Sequence, residues 1–137
     1  MTDRDLLEKK LAFIETCIGD LHRLARPEQI ETDVREERFV AHTLQLAIQS
    51  ALDAASHIVS ERRLGEPESN HQLFQLLNTE IGLSETLLLS LRNMAGFRNL
   101  LVHGYQTVDR AILRNVVENN LDDLQAFVDG VRGRFLD

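Results

Sequence analysis

The chain has 137 residues, of which 43% are hydrophobic and 27% are charged, a composition typical of one soluble globular domain. Its formal net charge of −7 argues against a general nucleic-acid coating protein, although a small basic cleft is compatible with it. The single cysteine, Cys17, excludes an internal disulfide framework, and no apolar run is long enough to cross a membrane.

The first ten residues, MTDRDLLEKK, are charged and lack the apolar core of a secretory signal, so a cytoplasmic location is expected. Apolar residues then recur every three or four positions, which predicts a first helix over about residues 3–25. The stretch RPEQIET ends this helix, and a long second helix is predicted over about residues 34–62. Its predicted apolar stripe includes Phe39, Leu46, Ala47, Ala51, Ala54 and Ile58.

Gly65 and Pro67 end the second helix, because neither residue favours a helix interior. A short third helix is predicted over about residues 71–80. Gly82 closes the third helix, since glycine readily adopts the left-handed conformation found after a helix C-terminus.

Ser84 is the predicted N-cap of a fourth helix that runs to His103 or Gly104. A fifth helix is predicted over about residues 109–135. Since no stretch alternates as a half-buried strand would, the predicted fold class is all-α, an up-and-down bundle of about five helices. The bundle is expected to form one domain over residues 1–137.

The stretch RNLLVHGY, at the end of the predicted fourth helix, includes an arginine on an apolar seam. Leu91, Arg98 and Tyr105 are spaced by sevens and drift by only about 20° per step on an ideal helix. His103 lies roughly 140° around the helix from Arg98, and Asn99 shares the face of His103 at a spacing of four. An arginine on such a seam must be paired, extend outward or face another surface.

The guanidinium of Arg98 is suited to binding phosphate oxygens, and the imidazole of His103 can give or take a proton near neutral pH. Together they suit cleavage of an RNA phosphodiester by its own 2′-hydroxyl, with no metal and no cofactor. No HExxH, CxxC, P-loop, GxGxxG or GxSxG motif is present. The short motif alone leaves open a structural alternative, with Arg98 in an ion pair, His103 capping the helix and Tyr105 packed.

The stretch MAGFRNLLVHGY resembles the signature of the HEPN superfamily, in the HepT-like branch of toxins that are paired with minimal nucleotidyltransferase antitoxins. The superfamily pattern is an arginine, a polar residue, a spacer and a histidine, here Arg98, Asn99, LLV and His103. The branch adds a tyrosine two residues later, here Tyr105. AIQSALDAASHIVSERRLGEPESNHQLFQLL and GLSETLLLSLRNMAGF are similar to other segments of this branch, so the resemblance covers nearly the whole chain.

The resemblance implies a HEPN helical bundle and a two-fold homodimer whose two motifs face a shared cleft. It implies the toxin of a type VII-like toxin–antitoxin pair, a metal-independent endoribonuclease with Arg98 and His103 as catalytic residues and Asn99 in support. It also implies control by a cognate nucleotidyltransferase, which would transfer AMP from ATP to Tyr105.

Two other functions remain open at this point. The chain could be a non-catalytic helical adaptor that presents substrate to a nucleotidyltransferase, or a purely structural dimeric bundle. A neighbouring nucleotidyltransferase gene would disfavour the structural bundle, and an RNA-cleavage assay separates the enzyme from the adaptor.

Other polar residues receive simpler interpretations. Asp53 and His57, four residues apart, could lean towards the site, but a hydrogen bond on the helix face is preferred. Arg92 is expected to contact RNA or a partner, and Cys17 is expected to be buried and inert. Surface or capping positions are expected for His22, His42 and His71. A solvated charge run is expected for Glu36, Glu37 and Arg38.

Overall fold

The computed structural model describes residues 3–103 and 108–136, and the regular structure within these ranges is entirely helical. The described residues form six α-helices: α1 Arg4–Leu24, α2 Val34–Glu61, α3 Asn70–Ile81, α4 Glu85–His103, α5 Arg110–Asn119 and α6 Leu121–Phe135. A 3₁₀ turn, Pro27–Gln29, lies between α1 and α2. The predicted all-α helical bundle is therefore confirmed. No helix within the described ranges combines the length and apolarity needed to cross a lipid bilayer.

Side-chain caps determine where the helices begin and end. The N-caps of α1, α2, α3 and α5 are Asp3, Asp33, Ser69 and Asp109, each of which accepts a hydrogen bond from a backbone amide of its own first turn. Ser84 caps the N-terminus of α4 as predicted, since its Oγ accepts a hydrogen bond from the amide of Leu87 at 3.2 Å. Gly82 ends α3 at a φ of 74°, a left-handed conformation that glycine adopts without strain.

Helix α2 is the centre of the bundle and contacts the five other helices and the 3₁₀ turn. Small side chains on its buried face allow neighbouring backbones to approach closely: Ala41, Ala47, Ala51, Ala54 and Ala55. The prediction that Leu46 belongs to this face is wrong, since Leu46 is 37% exposed. The buried face passes through Leu44 and Ile48, and a residue two positions from either lies about 200° around the helix.

Helices α3 and α6 meet through aromatic side chains, and α1 and α6 meet through charged ones. Phe74 and Phe127 are both buried and pack edge to face, with ring centroids 5.7 Å apart. Arg132 of α6 donates to Glu8 at 2.8 Å and to Glu15 at 2.9 Å, both on α1. The hydrogen bonds from Arg132 and Gln125 lower the pKa of the Glu15 carboxyl.

The predicted fifth helix is divided into α5 and α6 at Asn120. The side-chain amide of Asn120 donates to Oδ2 of Asp123 at 3.0 Å, and the hydroxyl of Ser90 on α4 donates to the same oxygen at 2.6 Å. The break changes the direction of the chain, because α5 packs on α2 and the 3₁₀ turn whereas α6 packs on α1 and α4. The sequence pattern is continuous across this point, which is why it predicts one helix.

The prediction that Glu37 lies on a solvated face is also wrong, since Glu37 is buried. Its carboxylate accepts a hydrogen bond from the Nε of Arg110, which connects the start of α5 to the first turn of α2. Glu37 precedes Ala41 by four residues and Leu44 by seven, so it continues the buried face of α2. The neighbouring Glu36 accepts a hydrogen bond from the backbone amide of Arg26 at 2.7 Å.

The edge-to-face aromatic pair should contribute strongly to stability. We expect Phe127→Ala to lower the free energy of unfolding by about 3–5 kcal/mol, because the truncation leaves a cavity in the core. Phe13, 43% exposed on α1, provides a matched control, and Phe13→Ala should cost about 1 kcal/mol or less. Urea unfolding at one fixed protein concentration measures both values. Equal losses for the two variants would contradict the assignment of Phe127 to the core.

Candidate functional site

Helix α4 presents the residues of the predicted site in a defined angular order. Leu91 and Leu101 are buried against the bundle, so apolar packing fixes which side of α4 faces inward. Asn99 and His103 lie on the exposed side, and His103 is the last residue of the helix.

The Cα–Cβ bond of Arg98 lies on the inward side of α4, but its guanidinium reaches the exposed side of the helix. It follows Leu91 by seven residues and Ala95 by three, and both are fully buried, so the predicted apolar seam is confirmed up to this point. The Nε of Arg98 is buried without a hydrogen-bond partner in the described chain, whereas Nη1 donates to Oδ1 of Asn99 at 3.2 Å. The guanidinium thus turns out of the seam towards the face that Asn99 shares with His103.

The imidazole of His103 is exposed and has no hydrogen-bond partner among residues 3–103 and 108–136. Within the same ranges Arg98 and His103 form no direct hydrogen bond. Asn99, which accepts from Arg98, lies one helical turn before His103 on the same face of α4. Neither side chain is paired with a described carboxylate. The site can therefore offer guanidinium donors to an anion and, at the helix end, an imidazole for proton transfer.

Two residues of the predicted site lie outside the described residues. They are Gly104, expected to end the fourth helix, and Tyr105, expected to be modified. Their proposed roles stay predictions from the sequence.

Asp53 and His57 hold α1 against α2 and are not part of the motif. Asp53 accepts hydrogen bonds from Lys10 at 3.2 Å and from Gln49, one turn earlier on α2, at 2.8 Å. The Nε2 of His57 accepts from the backbone amide of Asp3 at 3.2 Å. The sequence predicts a hydrogen bond on the face of α2 for these residues. Asp53 makes such a bond with Gln49, whereas His57 bonds to the backbone of Asp3.

Cys17 and the remaining histidines lie close to where the sequence predicts them. Cys17 is buried, and burial, assisted by the charge of Asp20, raises the pKa of its thiol to about 11. His22 and His42 are exposed. His71 is also exposed, in the first turn of α3, but its ring lies against the backbone of α4, a contact that the sequence does not predict.

Within residues 3–103 and 108–136, no three side chains of the His, Cys, Asp and Glu type lie close enough together to hold a metal ion.

Known proteins with the same fold and related sequences place the chain in a family. A solved structure with this fold is that of tri-AMPylated Shewanella oneidensis HEPN toxin in complex with MNT antitoxin. Its toxin superimposes with a TM-score of 0.85 and 30% sequence identity, over 97% of this chain and 99% of the other.

Two curated relatives are ribonucleases by name. The mRNA nuclease HepT of Shewanella oneidensis is 30% identical over 129 residues, which is 93% of this chain and 97% of the relative. The tRNA nuclease HepT of Aphanizomenon flos-aquae is 30% identical over 109 residues, which is 76% of this chain and 72% of the relative. A family model described as ribonuclease HepT-like matches residues 14–131. The chain therefore belongs to the HepT-like ribonuclease family of HEPN toxins.

Proposed function

We propose that this chain is the toxin of a toxin–antitoxin pair and cleaves RNA with Arg98 and His103, without a metal ion. The observation that supports this most directly is the orientation of Arg98. Its guanidinium leaves the apolar seam and binds Asn99, on the helix face of His103. An arginine held there without a described carboxylate partner has donors left for a phosphate.

The proposed reaction is attack by a 2′-hydroxyl on the neighbouring phosphorus. A base removes the 2′-proton as the new P–O2′ bond forms, and an acid protonates the 5′-oxygen as the P–O5′ bond breaks. The products are a 2′,3′-cyclic phosphate and a 5′-hydroxyl. His103 acts in proton transfer, Arg98 stabilises the charge that develops on the phosphorane oxygens, and Asn99 orients the guanidinium.

A homodimer would supply a second imidazole to this reaction, so that one histidine can act as base and the other as acid. Exposed apolar side chains near the motif support such an assembly. Leu89 and Leu100 lie within about 20° of each other around α4, and these two residues and Ile112 of α5 are each between 48% and 57% exposed. A second copy of the chain packed on this surface would remove them from water and bring the two motifs together.

The proposed control is AMPylation of Tyr105 by a cognate nucleotidyltransferase. Relatives of this chain include a tri-AMPylated HEPN toxin bound to an MNT antitoxin. In the proposed step the tyrosine hydroxyl attacks the α-phosphorus of ATP and pyrophosphate leaves. The added phosphodiester carries negative charge two residues from His103, where it would compete with RNA phosphate for Arg98.

We predict that the purified chain cleaves total RNA in the presence of EDTA and leaves 2′,3′-cyclic phosphate ends. His103→Ala should lower the rate roughly 100-fold or more, because proton transfer is its proposed role. His22→Ala, at an exposed position on α1, is the matched control and should cleave like the wild type. Equal activity of His103→Ala and the wild type would refute the assignment, and an inactive wild type would favour the adaptor.

We predict that the chain sediments as a dimer at micromolar concentration. Leu89→Glu should weaken the dimer by about tenfold or more, because it buries a charge in the proposed interface. Leu24→Glu, at an exposed leucine of α1, should leave the dimer unchanged. A strict monomer that still cleaves RNA would contradict the shared cleft.

With the cognate nucleotidyltransferase and Mg-ATP, we predict that the intact mass rises by whole AMP units and that RNase activity falls. Tyr105 is the only tyrosine, so Tyr105→Phe should accept no AMP and should remain active with the partner present. Intact-mass and peptide mass spectrometry locate the modification. A label on serine or threonine, or equal silencing of Tyr105→Phe, would show that inhibition does not depend on this tyrosine.

A further inference from the structure

A second basic residue, Arg92, lies on the same exposed face of α4 as His103. Asn99 and His103 follow it by 7 and 11 residues, which on an ideal helix places both within about 20° of its direction. Gly96 lies between Arg92 and Asn99 in the chain, about 40° around the helix from Arg92. The four residues form one stripe along α4, about 16 Å long at a rise of 1.5 Å per residue.

The imidazole of His71 lies over the middle of this stripe. A Cβ atom placed on Gly96 would be 3.1 Å from Nε2 of His71 and 3.7 Å from its Cε1. The absence of a side chain at position 96 therefore lets the ring of His71 rest on the backbone of α4. His71 itself remains exposed to solvent.

Arg92 is half-buried, and no described carboxylate pairs with its charge. Its Nε is buried without a hydrogen bond, and no ion pair joins it to a carboxylate in the described part of the chain. Other arginines of this acidic protein are neutralised by glutamates, namely Arg110, Arg114, Arg132 and Arg134. Arg92 lies one helical turn before Gly96, on which the imidazole of His71 rests, and a partly desolvated guanidinium one turn from an imidazole is a favourable environment for an anion.

We infer that Arg92 and His71 form a subsite for a non-scissile phosphate of the RNA backbone. The inference rests on the proposed function, because it assumes that the scissile phosphate binds at Arg98 and His103. Gly96, which marks the position of His71, precedes His103 by about 10 Å along the helix axis. At that separation the subsite would hold a different phosphate from the scissile one.

A phosphate subsite affects binding and leaves the chemical step alone. Phosphate contacts position a nucleic acid without reading its sequence, so loss of the subsite should weaken all RNAs alike and leave the cut positions unchanged. KM should rise while kcat stays close to the wild-type value. A residue with a purely structural role would instead alter unfolding or assembly.

The test measures the affinity of a fluorescent RNA oligonucleotide by anisotropy at several salt concentrations, in proteins that also carry His103→Ala to prevent cleavage. Arg92→Gln should weaken binding about tenfold at low salt and reduce the slope of log K against log salt by about 0.7, the value for one phosphate contact. Arg92→Lys should restore the slope because it keeps the charge. Arg23→Gln is the control, since Arg23 is an exposed arginine of α1 paired with Asp20.

Two further variants examine His71. His71→Ala should weaken binding, and Gly96→Ala should weaken it to a smaller extent, because a methyl group there displaces the imidazole by a few tenths of an ångström. Gly96→Ala should not destabilise the helix, since alanine favours it more than glycine does. A fall in affinity at unchanged melting temperature therefore separates the subsite from a folding defect.

Several outcomes would overturn the subsite. They are wild-type affinity and salt slope in Arg92→Gln, the same losses in Arg23→Gln, or a change in dimerisation with unchanged RNA affinity. A different outcome would refute the proposed function alone. In that outcome the salt slope of RNA binding depends on Arg92, but the wild type, with His103 intact, does not cleave RNA. Normal cleavage with unchanged KM in the Arg92 and His71 variants would remove the subsite and leave the proposed function standing.

Discussion

Helix α2 has to pack against every other helix of the bundle at once, and this requirement constrains the rest of the structure. A helix with neighbours on several sides needs small side chains where backbones come close and larger ones where gaps remain. Its alanines meet the first need, and Leu44, Ile48 and Ile58 meet the second. The helix that carries the motif and the helix that follows it both rest on α2, so the core determines their relative placement.

The pair formed by Glu37 and Arg110 shows how this constraint extends towards the motif. Glu37 is buried in the first turn of α2, and Arg110 is the first residue of α5. A buried carboxylate needs a partner, so this contact holds the first turn of α5 against the first turn of α2. His103 ends α4 just before that point in the chain. The end of α4 and the start of α5 both belong to helices that pack on α2.

Local signals in the sequence predict most of the helices because the relevant interactions are local. Ser84 and Gly82 act within one turn of their own positions, and the three-and-four spacing of apolar residues defines the buried side of α1. The break at Asn120 is not predictable in this way. It depends on Ser90 and Asp123, which come together only when α4 and α6 pack. Burial of Glu37 could have been inferred from its spacing to Ala41 and Leu44, had the spacing been weighed above its charge.

In the candidate site too, the sequence predicts what residue spacing determines and not what tertiary contacts determine. That Arg98 lies on an apolar seam follows from its spacing to Leu91 and Ala95. The orientation of its guanidinium towards Asn99 cannot be predicted from the sequence. Residue spacing fixes the direction of the Cα–Cβ bond but not the rotamers of a long side chain. The contact between His71 and Gly96 depends on how α3 crosses α4, so one sequence alone contains no signal for it.

Burial of Cys17 has a practical consequence for studying this protein in solution. Cys17 is only 4% exposed, and with a thiol pKa of about 11 almost none of it is the reactive thiolate at neutral pH. The folded chain is therefore expected to react only slowly at Cys17 with maleimides and similar reagents, which attack the thiolate. A cysteine introduced on the surface of α4 would carry a fluorophore or spin label at one defined position, with little background label and without removal of Cys17 from the core.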